Sequence, residues 1–257
     1  MTNQRIKMYI LYAIKRTARS ILLFPKKIII FFSFLGQWSR FRSRNDKRFA
    51  LRNRDLYPCL NDRLTTTPFD AHYTYHPAWA ARVLAKTKPA LHIDISSILH
   101  FSAVISAFVP VKFYDYRPAH LQLDNYESGF ADLKALPFET GSIESISCMH
   151  TIEHIGLGRY GDELDVQGDI KAINELKRVT RSNGQILFVT PVGQPRIEFN
   201  AHRIYSFEQI TEYFEGCELI EFSLIPDEGG LIVDAEPAMV KNQRYGCGCF
   251  LFKKKSQ

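Results

Sequence analysis

From residue 77 onward, short apolar runs of strand length alternate with segments of helical spacing, and that alternation restricts the kind of sheet the chain can build. LHIDIS (91–96), VKFYDY (111–116), IESISCM (143–149), QILFVT (185–190), LIEFSLI (219–225) and YGCGCFLF (245–252) read as strands. Pro77–Lys88, Ile98–Phe108, Asp169–Arg181 and Tyr205–Phe214 read as helices. Pro77 falls in a first turn, where its missing N–H is no loss. Asn183-Gly184 supplies a C-terminal stop and Ser206 an N-cap. Strands separated by helices predict an α/β fold: a doubly wound, mostly parallel Rossmann-like sheet with helices on both faces.

The charge is unevenly placed. The whole chain carries +6 over 257 residues, yet residues 1–54 hold 14 Lys or Arg against one acid, Asp46. The folded body is therefore mildly acidic and the basicity belongs to a tail, which divides the chain into an N-terminal segment (1–54) and a domain (55–257). Ile6, Tyr9, Ile10, Ala13, Ile14 and Thr17 follow helical spacing with Lys and Arg between them, a basic amphipathic helix. The uncharged run Ile28–Ser39 that follows is 12 residues, or about 18 Å of helix, against roughly 30 Å of hydrocarbon. It is too short to span. Trp38 and the flanking basic residues suit an anionic membrane surface, so the segment is expected to hold the protein at the inner, cytoplasmic face of a membrane. The thick aliphatic face argues against nucleic acid as the partner. Five cysteines form no disulfide framework and suit a reducing compartment.

The chemistry concentrates between Asp132 and Asp165. His150, Glu153 and His154, just past the strand at 143–149, are spaced i, i+3, i+4, so one helical turn would set all three on one face. In an open α/β sheet, ligands bind beyond the carboxyl ends of the strands. A histidine or carboxylate there can take a proton near neutral pH. Their nitrogen and oxygen donors also suit a divalent metal. Arg159, Tyr160, Asp162 and Asp165 follow on a loop with three glycines. Asn200, His202, Arg203 and Tyr205 form a donor-rich set fit for a polyhydroxyl or anionic acceptor. Gly156-Leu-Gly158-Arg-Tyr-Gly161 matches GxGxxG, but about six residues separate it from the strand and no acid ends the next one, so it is not a dinucleotide fingerprint.

Several segments resemble class I S-adenosylmethionine-dependent methyltransferases of the type 11 group. LHIDISSIL places Asp94 where that family's first strand ends, with Ser96 and Ser97 in the turn where glycines are usual. Asp115 ends the second strand, Asp132-Leu133 with Pro137-Phe138 matches a DhxxLPF segment, and Ile152-Glu153-His154 matches an hEH signature. ELKRVTRSNGQILFVTP (175–191) matches the family's ELxRVLxPGGxLxhxxP run. HTIEHIGLGRYGDELD and FNAHRIY are similar to a subgroup known only as a methyltransferase-like domain of unknown function.

The resemblance implies S-adenosylmethionine as cofactor, held by Asp94, Ser96, Ser97, Asp115, Asp132, Leu133 and His150. It implies His154, His150 and Glu153 as the catalytic group, and Arg159, Tyr160, Asn200, His202, Arg203 and Tyr205 as acceptor contacts. The expected reaction is O-methylation of a small-molecule or glycan acceptor, a saccharide or lipid-linked intermediate at the membrane surface. The alternative is a non-catalytic protein that keeps the sheet for binding or scaffolding, a reading that the serines at 96 and 97 favour.

Overall fold

The computed structural model describes residues 27–256; the amphipathic segment expected over 6–19 lies outside them. Contacts group the chain into two compact units, Met1–Pro68 and Phe69–Gln257. Residues 55–68, which the charge distribution assigns to the domain, thus go with the N-terminal unit. In that unit a helix, α1, is described over residues 27–43. It leaves Ile29, Phe32 and Phe41 more than half exposed. Among the described residues, no helix is long and apolar enough to cross a membrane.

The second unit is built on seven strands: β1 (His92–Ile95), β2 (Val111–Asp115), β3 (Tyr126–Phe130), β4 (Ile143–Met149), β5 (Thr180–Val192), β8 (Cys217–Ile225) and β9 (Gly246–Lys254). Their order is β3-β2-β1-β4-β5-β9-β8. The first five are mutually parallel, and β9 runs antiparallel to both β5 and β8. A separate hairpin joins β6 (Arg196–Glu198) to β7 (His202–Ile204). The strand order reverses between β1 and β4, which makes their carboxyl ends the topological switch point where such sheets take ligands.

Strands buried on both faces must be apolar on both, and the sheet separates two cores. One side packs α4 (Gly168–Val179) and α5 (Phe207–Tyr213) onto Ile146, Phe188 and Phe250. Phe214 and Phe252 stack there with ring centroids 4.3 Å apart. The other side packs α2 (Ala71–Thr87) and α3 (Leu99–Ile105) onto Val111, Leu187 and Val189 through Trp79, Leu84 and Phe101. α5 starts as expected, with a capping box between Ser206 and Gln209.

Several elements differ from the sequence reading. α2 begins six residues earlier, because the Asp70 carboxylate caps it by accepting from the Tyr73 N–H at 3.0 Å. Pro77 therefore lies inside the helix, not in its first turn. α4 ends at Val179 rather than at Asn183-Gly184, since Thr180 already pairs with Ile143 on β4. Asn183 (φ +61°) and Gly184 instead form the irregular start of β5. A Cβ on Gly184 would sit 2.9 Å from the carbonyl oxygens of Arg181 and Ile143. β3 had no sequence signal, because YESGF is a half-exposed edge strand without alternation.

Candidate active site

The carboxyl ends of β1, β2 and β4 open into a cleft of about 390 Å³. Its wall includes Ser96, Asp115, Asp132, Leu133, His150, His154 and Tyr160, all singled out from the sequence. Asp162, likewise singled out, also lines it, as do Tyr116, Arg117, Lys134, Thr151 and Glu163, which were not. That volume lies in the 300–1,000 Å³ range of small-molecule sites.

Two cleft residues hold the left-handed backbone that L-residues avoid, Ser96 (φ +55°) and His150 (φ +55°). They end adjacent parallel strands. The Ser96 N–H donates to Tyr114 O at 2.7 Å, and the Ser96 carbonyl accepts from the Thr151 hydroxyl at 2.8 Å. His150 N–H donates to Val189 O at 2.9 Å. These bonds over-determine both turns, which is how strain persists at a site.

Asp115 ends β2, and its Oδ1 accepts from Arg117 N–H at 2.7 Å. Asp132 orders its own loop in the same way, accepting from Lys134 N–H at 2.8 Å. Asp94 differs. It is wholly buried beneath the floor and does not line the cleft. Burial pushes its carboxyl up to about 7 against the hydrogen bond from Ser147. A proton-ordered chain leads to it: His92 Nε2 donates to Ser147 Oγ (2.9 Å), which donates to Asp94 Oδ1 (2.6 Å). Ser145 then donates to His92 Nδ1 at 2.8 Å, and burial holds His92 neutral with a pKa of about 3. Ser97 also faces inward, its hydroxyl accepting from Met149 N–H at 3.2 Å.

His150, Glu153 and His154 do meet, but not on a helical turn. His150 closes β4 in a left-handed turn, and only Ile152–His154 is helical, as a single 3₁₀ turn. Both imidazoles converge on one oxygen: His150 Nδ1 lies 2.9 Å and His154 Nε2 3.9 Å from Glu153 Oε1. Burial would raise the Glu153 pKa. The hydrogen bond from His150 and the electrostatic pull of the two imidazoles outweigh it and hold the group below the usual carboxylate range. Burial lowers the His154 pKa against the opposing pull of Glu153, so its ring is neutral at pH 7. Its Nδ1–H donates to Ala201 O at 2.6 Å, which leaves the lone pair on Nε2.

The loop after His154 is a tight ring, and its glycines serve that ring. Asp162 accepts from the N–H groups of Gly156 (2.8 Å) and Tyr160 (3.2 Å). Gly156 (φ +78°) passes so close to the Asp165 carbonyl that no side chain fits. The turn explains the GxGxxG spacing without a dinucleotide. Tyr160 lines the cleft within cation–π reach of two guanidinium groups, with Arg117 4.9 Å and Arg159 5.1 Å from its ring centre.

The set at 200–205 divides. His202 packs on Tyr245 with ring centroids 4.8 Å apart, and Asn200 reaches Leu157 O at 3.5 Å. Arg203 and Tyr205 are buried and point away from the cleft. Arg203 donates to Ile155 O at 2.6 Å and pairs with Asp169, and the Tyr205 hydroxyl donates to Asp169 at 2.9 Å. They pin the loop against α4. Behind His150 lies a group that the sequence reading missed: His72, Tyr73 and His76 of α2 and Tyr245 before β9, with ring centroids 5.0 to 5.5 Å from His150 for the three α2 residues. The i, i+4 spacing of His72 and His76 was the available signal. It was obscured by starting the helix at Pro77.

Comparisons with known proteins agree with this layout. Residues 136–231 match the family described as Caenorhabditis protein of unknown function, DUF268. A search of curated proteins gave no match. Solved structures do match: the YcgJ protein of Bacillus subtilis at 13% identity and TM-score 0.51, covering 71% of this chain and 99% of that one. The N-methyltransferase NodS of Bradyrhizobium japonicum, solved with S-adenosyl-L-homocysteine, aligns at 12% identity and TM-score 0.50, covering 73% and 90%. The 1,6-didemethyltoxoflavin-N1-methyltransferase of Burkholderia thailandensis aligns at 8% identity and TM-score 0.50, covering 74% and 93%. Residues 69–257 carry the Rossmann-like fold of the class I S-adenosylmethionine-dependent methyltransferases.

Proposed function

We propose that this protein is an S-adenosylmethionine-dependent methyltransferase acting on a hydroxyl group of a small-molecule or glycan acceptor. The observation that carries the reading is the composition of one cleft at the switch point. Ser96 and Asp115 stand at the ends of β1 and β2, opposite the neutral, tautomer-fixed His154 past the end of β4. The residues present fit the cofactor. The strained Ser96 turn offers close backbone approach, Asp115 keeps Oδ2 as an acceptor for ribose hydroxyls, and Leu133 gives an apolar wall for a base. S-adenosylmethionine supplies a methyl group on a sulfonium, a leaving group that needs no acid.

The protein's tasks are then alignment and deprotonation. Alignment of donor and acceptor supplies most of the acceleration in a direct displacement. His154 Nε2 takes the acceptor's proton as the oxygen attacks the methyl carbon. Glu153 stabilises the imidazolium so formed, and Ala201 O holds the ring in place. Arg117, Arg159 and Tyr160 give the cleft an aromatic ring beside two cations, suited to a sugar or an anionic group. The exposed aliphatic and aromatic residues of α1, with the basic residues around them, support attachment to the inner face of a membrane and so a lipid-linked saccharide as acceptor.

The non-catalytic reading keeps one observation in its favour, serine at 96 and 97 where the resembled family has glycine. Turnover decides between them. Purified protein with S-adenosylmethionine and a pool of nucleotide- and lipid-linked sugars should release S-adenosylhomocysteine in an acceptor-dependent way. Binding of S-adenosylhomocysteine with no turnover on any hydroxyl acceptor would favour the scaffold.

A further inference from the structure

Three side chains from three distant segments meet just behind the cleft: His72 on the first turn of α2, His150 at the end of β4, and Cys247 on β9. Ligand atoms of all three lie within 4.8 Å of one another. We propose that these three residues bind a zinc ion; the His76 ring lies beside them, its centroid 5.0 Å from that of His150. The site would pin α2 and β9 to the strand that carries the catalytic turn.

Tautomer and burial single out these residues. His150 Nδ1 is committed to the Glu153 carboxylate at 2.9 Å, so the proton is there and Nε2 carries the lone pair. That Nε2 is buried and has no hydrogen-bond partner. A carboxylate behind a histidine whose other nitrogen is free is the arrangement found behind metal-bound histidines. His76 repeats the pattern. Its Nδ1 donates to His72 O at 2.7 Å, its Nε2 is orphaned, and the residue is wholly buried. Buried polar atoms without partners are rare and costly, and a cation held by the cluster would satisfy the one on His150.

The donor set also selects the metal. Imidazole nitrogens with a cysteine sulfur suit zinc and not magnesium or calcium, which take oxygen. With bonds of about 2.0–2.3 Å, a tetrahedral zinc holds its ligand atoms roughly 3.3–3.8 Å apart. The present spacing therefore has to contract by about an ångström, which side-chain rotation supplies. Cys247 is fully buried, so its thiol is not a surface group awaiting oxidation. The ligands arise from one helix, the end of β4 and β9, two strands that β5 separates in the sheet, so the ion would tie α2 to both of them.

The test uses the untagged full chain and does not depend on methyl transfer. Elemental analysis should find about one zinc per chain. Cobalt(II) added to the stripped protein should produce tetrahedral d–d bands and a near-ultraviolet thiolate-to-cobalt band. Cys247→Ser should remove the thiolate band. Glu153→Gln should weaken cobalt binding about 10- to 100-fold while leaving the thiolate band. Should Cys247→Ser fail to fold, His72→Ala serves, because His72 is only half-buried. It should lower cobalt affinity at least tenfold in a protein with native circular dichroism. Unchanged affinity in His72→Ala, a thiolate band that survives Cys247→Ser, or no tetrahedral cobalt spectrum at one equivalent would overturn the proposal.

Discussion

Ser96 and His150 hold the same left-handed backbone, each at φ +55°, at the carboxyl ends of the adjacent parallel strands β1 and β4. Thr151 ties them together by donating from its hydroxyl to the Ser96 carbonyl at 2.8 Å. An L-residue in this region costs roughly 1–2 kcal/mol, and here two neighbouring residues meet that cost at the rim of one cleft. Replacing Ser96 by glycine removes the clash at one of them. Ser96→Gly is expected to raise stability by up to about 1 kcal/mol, less than the full strain because glycine loses more entropy on folding. Urea unfolding reads the change in midpoint. A loss of stability would mean that the Ser96 side chain matters more than its backbone.

Asp115 should carry much of the cofactor's affinity. One of its oxygens is spent on Arg117 N–H, which leaves the other for a charge-assisted hydrogen bond of about 1.5–3 kcal/mol. Asp115→Ala is therefore expected to weaken S-adenosylhomocysteine binding at least tenfold. Unchanged affinity in a folded variant would move the ribose elsewhere.

His154→Ala should lower turnover about 10²–10⁴-fold and leave S-adenosylhomocysteine affinity nearly unchanged. Burial places the His154 pKa below 6.5 and the base form is the neutral one, so kcat should rise with pH through that pKa and level off by neutrality. A parallel fall in turnover and melting temperature would mark His154 as structural.

Stability should respond to pH through the buried His92–Ser147–Asp94 chain. The His92 pKa falls from 6.5 to about 3 in the folded state, so its contribution is full above pH 6.5 and is lost as pH falls toward 3. The Asp94 pKa rises from 3.8 to about 7, so its contribution is full at low pH and is lost as pH rises through that window. The two slopes oppose one another. Asp94→Asn removes the second, and its urea midpoint should climb more steeply than the parent's between pH 4 and 7. Parallel curves would show that Asp94 stays ionised.

The parts of the fold that depend on buried apolar runs were legible in the sequence. IESISCM (143–149) is β4 to the residue, and Ser206 caps α5 as read. What was missed depends on single side chains acting at a distance. The Asp70 cap moved the start of α2 and brought His72 and His76 toward the site, against the local signal of Pro77. The HTIEH run does converge on one carboxylate oxygen. It does so through a left-handed turn at His150, which no helical spacing rule encodes. Asp94 looked like a cleft acid because it ends a strand. Its side chain instead points under the floor, a choice made by Ser147 on the neighbouring strand and His92 two residues earlier on its own.

The N-terminal unit gives a separate prediction. Removing residues 1–68 changes the net charge from +6 to −6. The full chain should sediment with anionic vesicles and be partly released by salt, since surface attraction is screened within about 8 Å at physiological ionic strength. The truncated chain should stay in solution. Equal sedimentation of both would assign membrane binding to residues 69–257.

Calorimetric titration of the full chain with S-adenosylhomocysteine tests the central reading most directly. A saturable isotherm with one site per chain, weakened at least tenfold by Asp115→Ala and retained by His154→Ala, is the predicted result. The absence of binding heat across a range of temperatures, from protein shown to be folded, would contradict it.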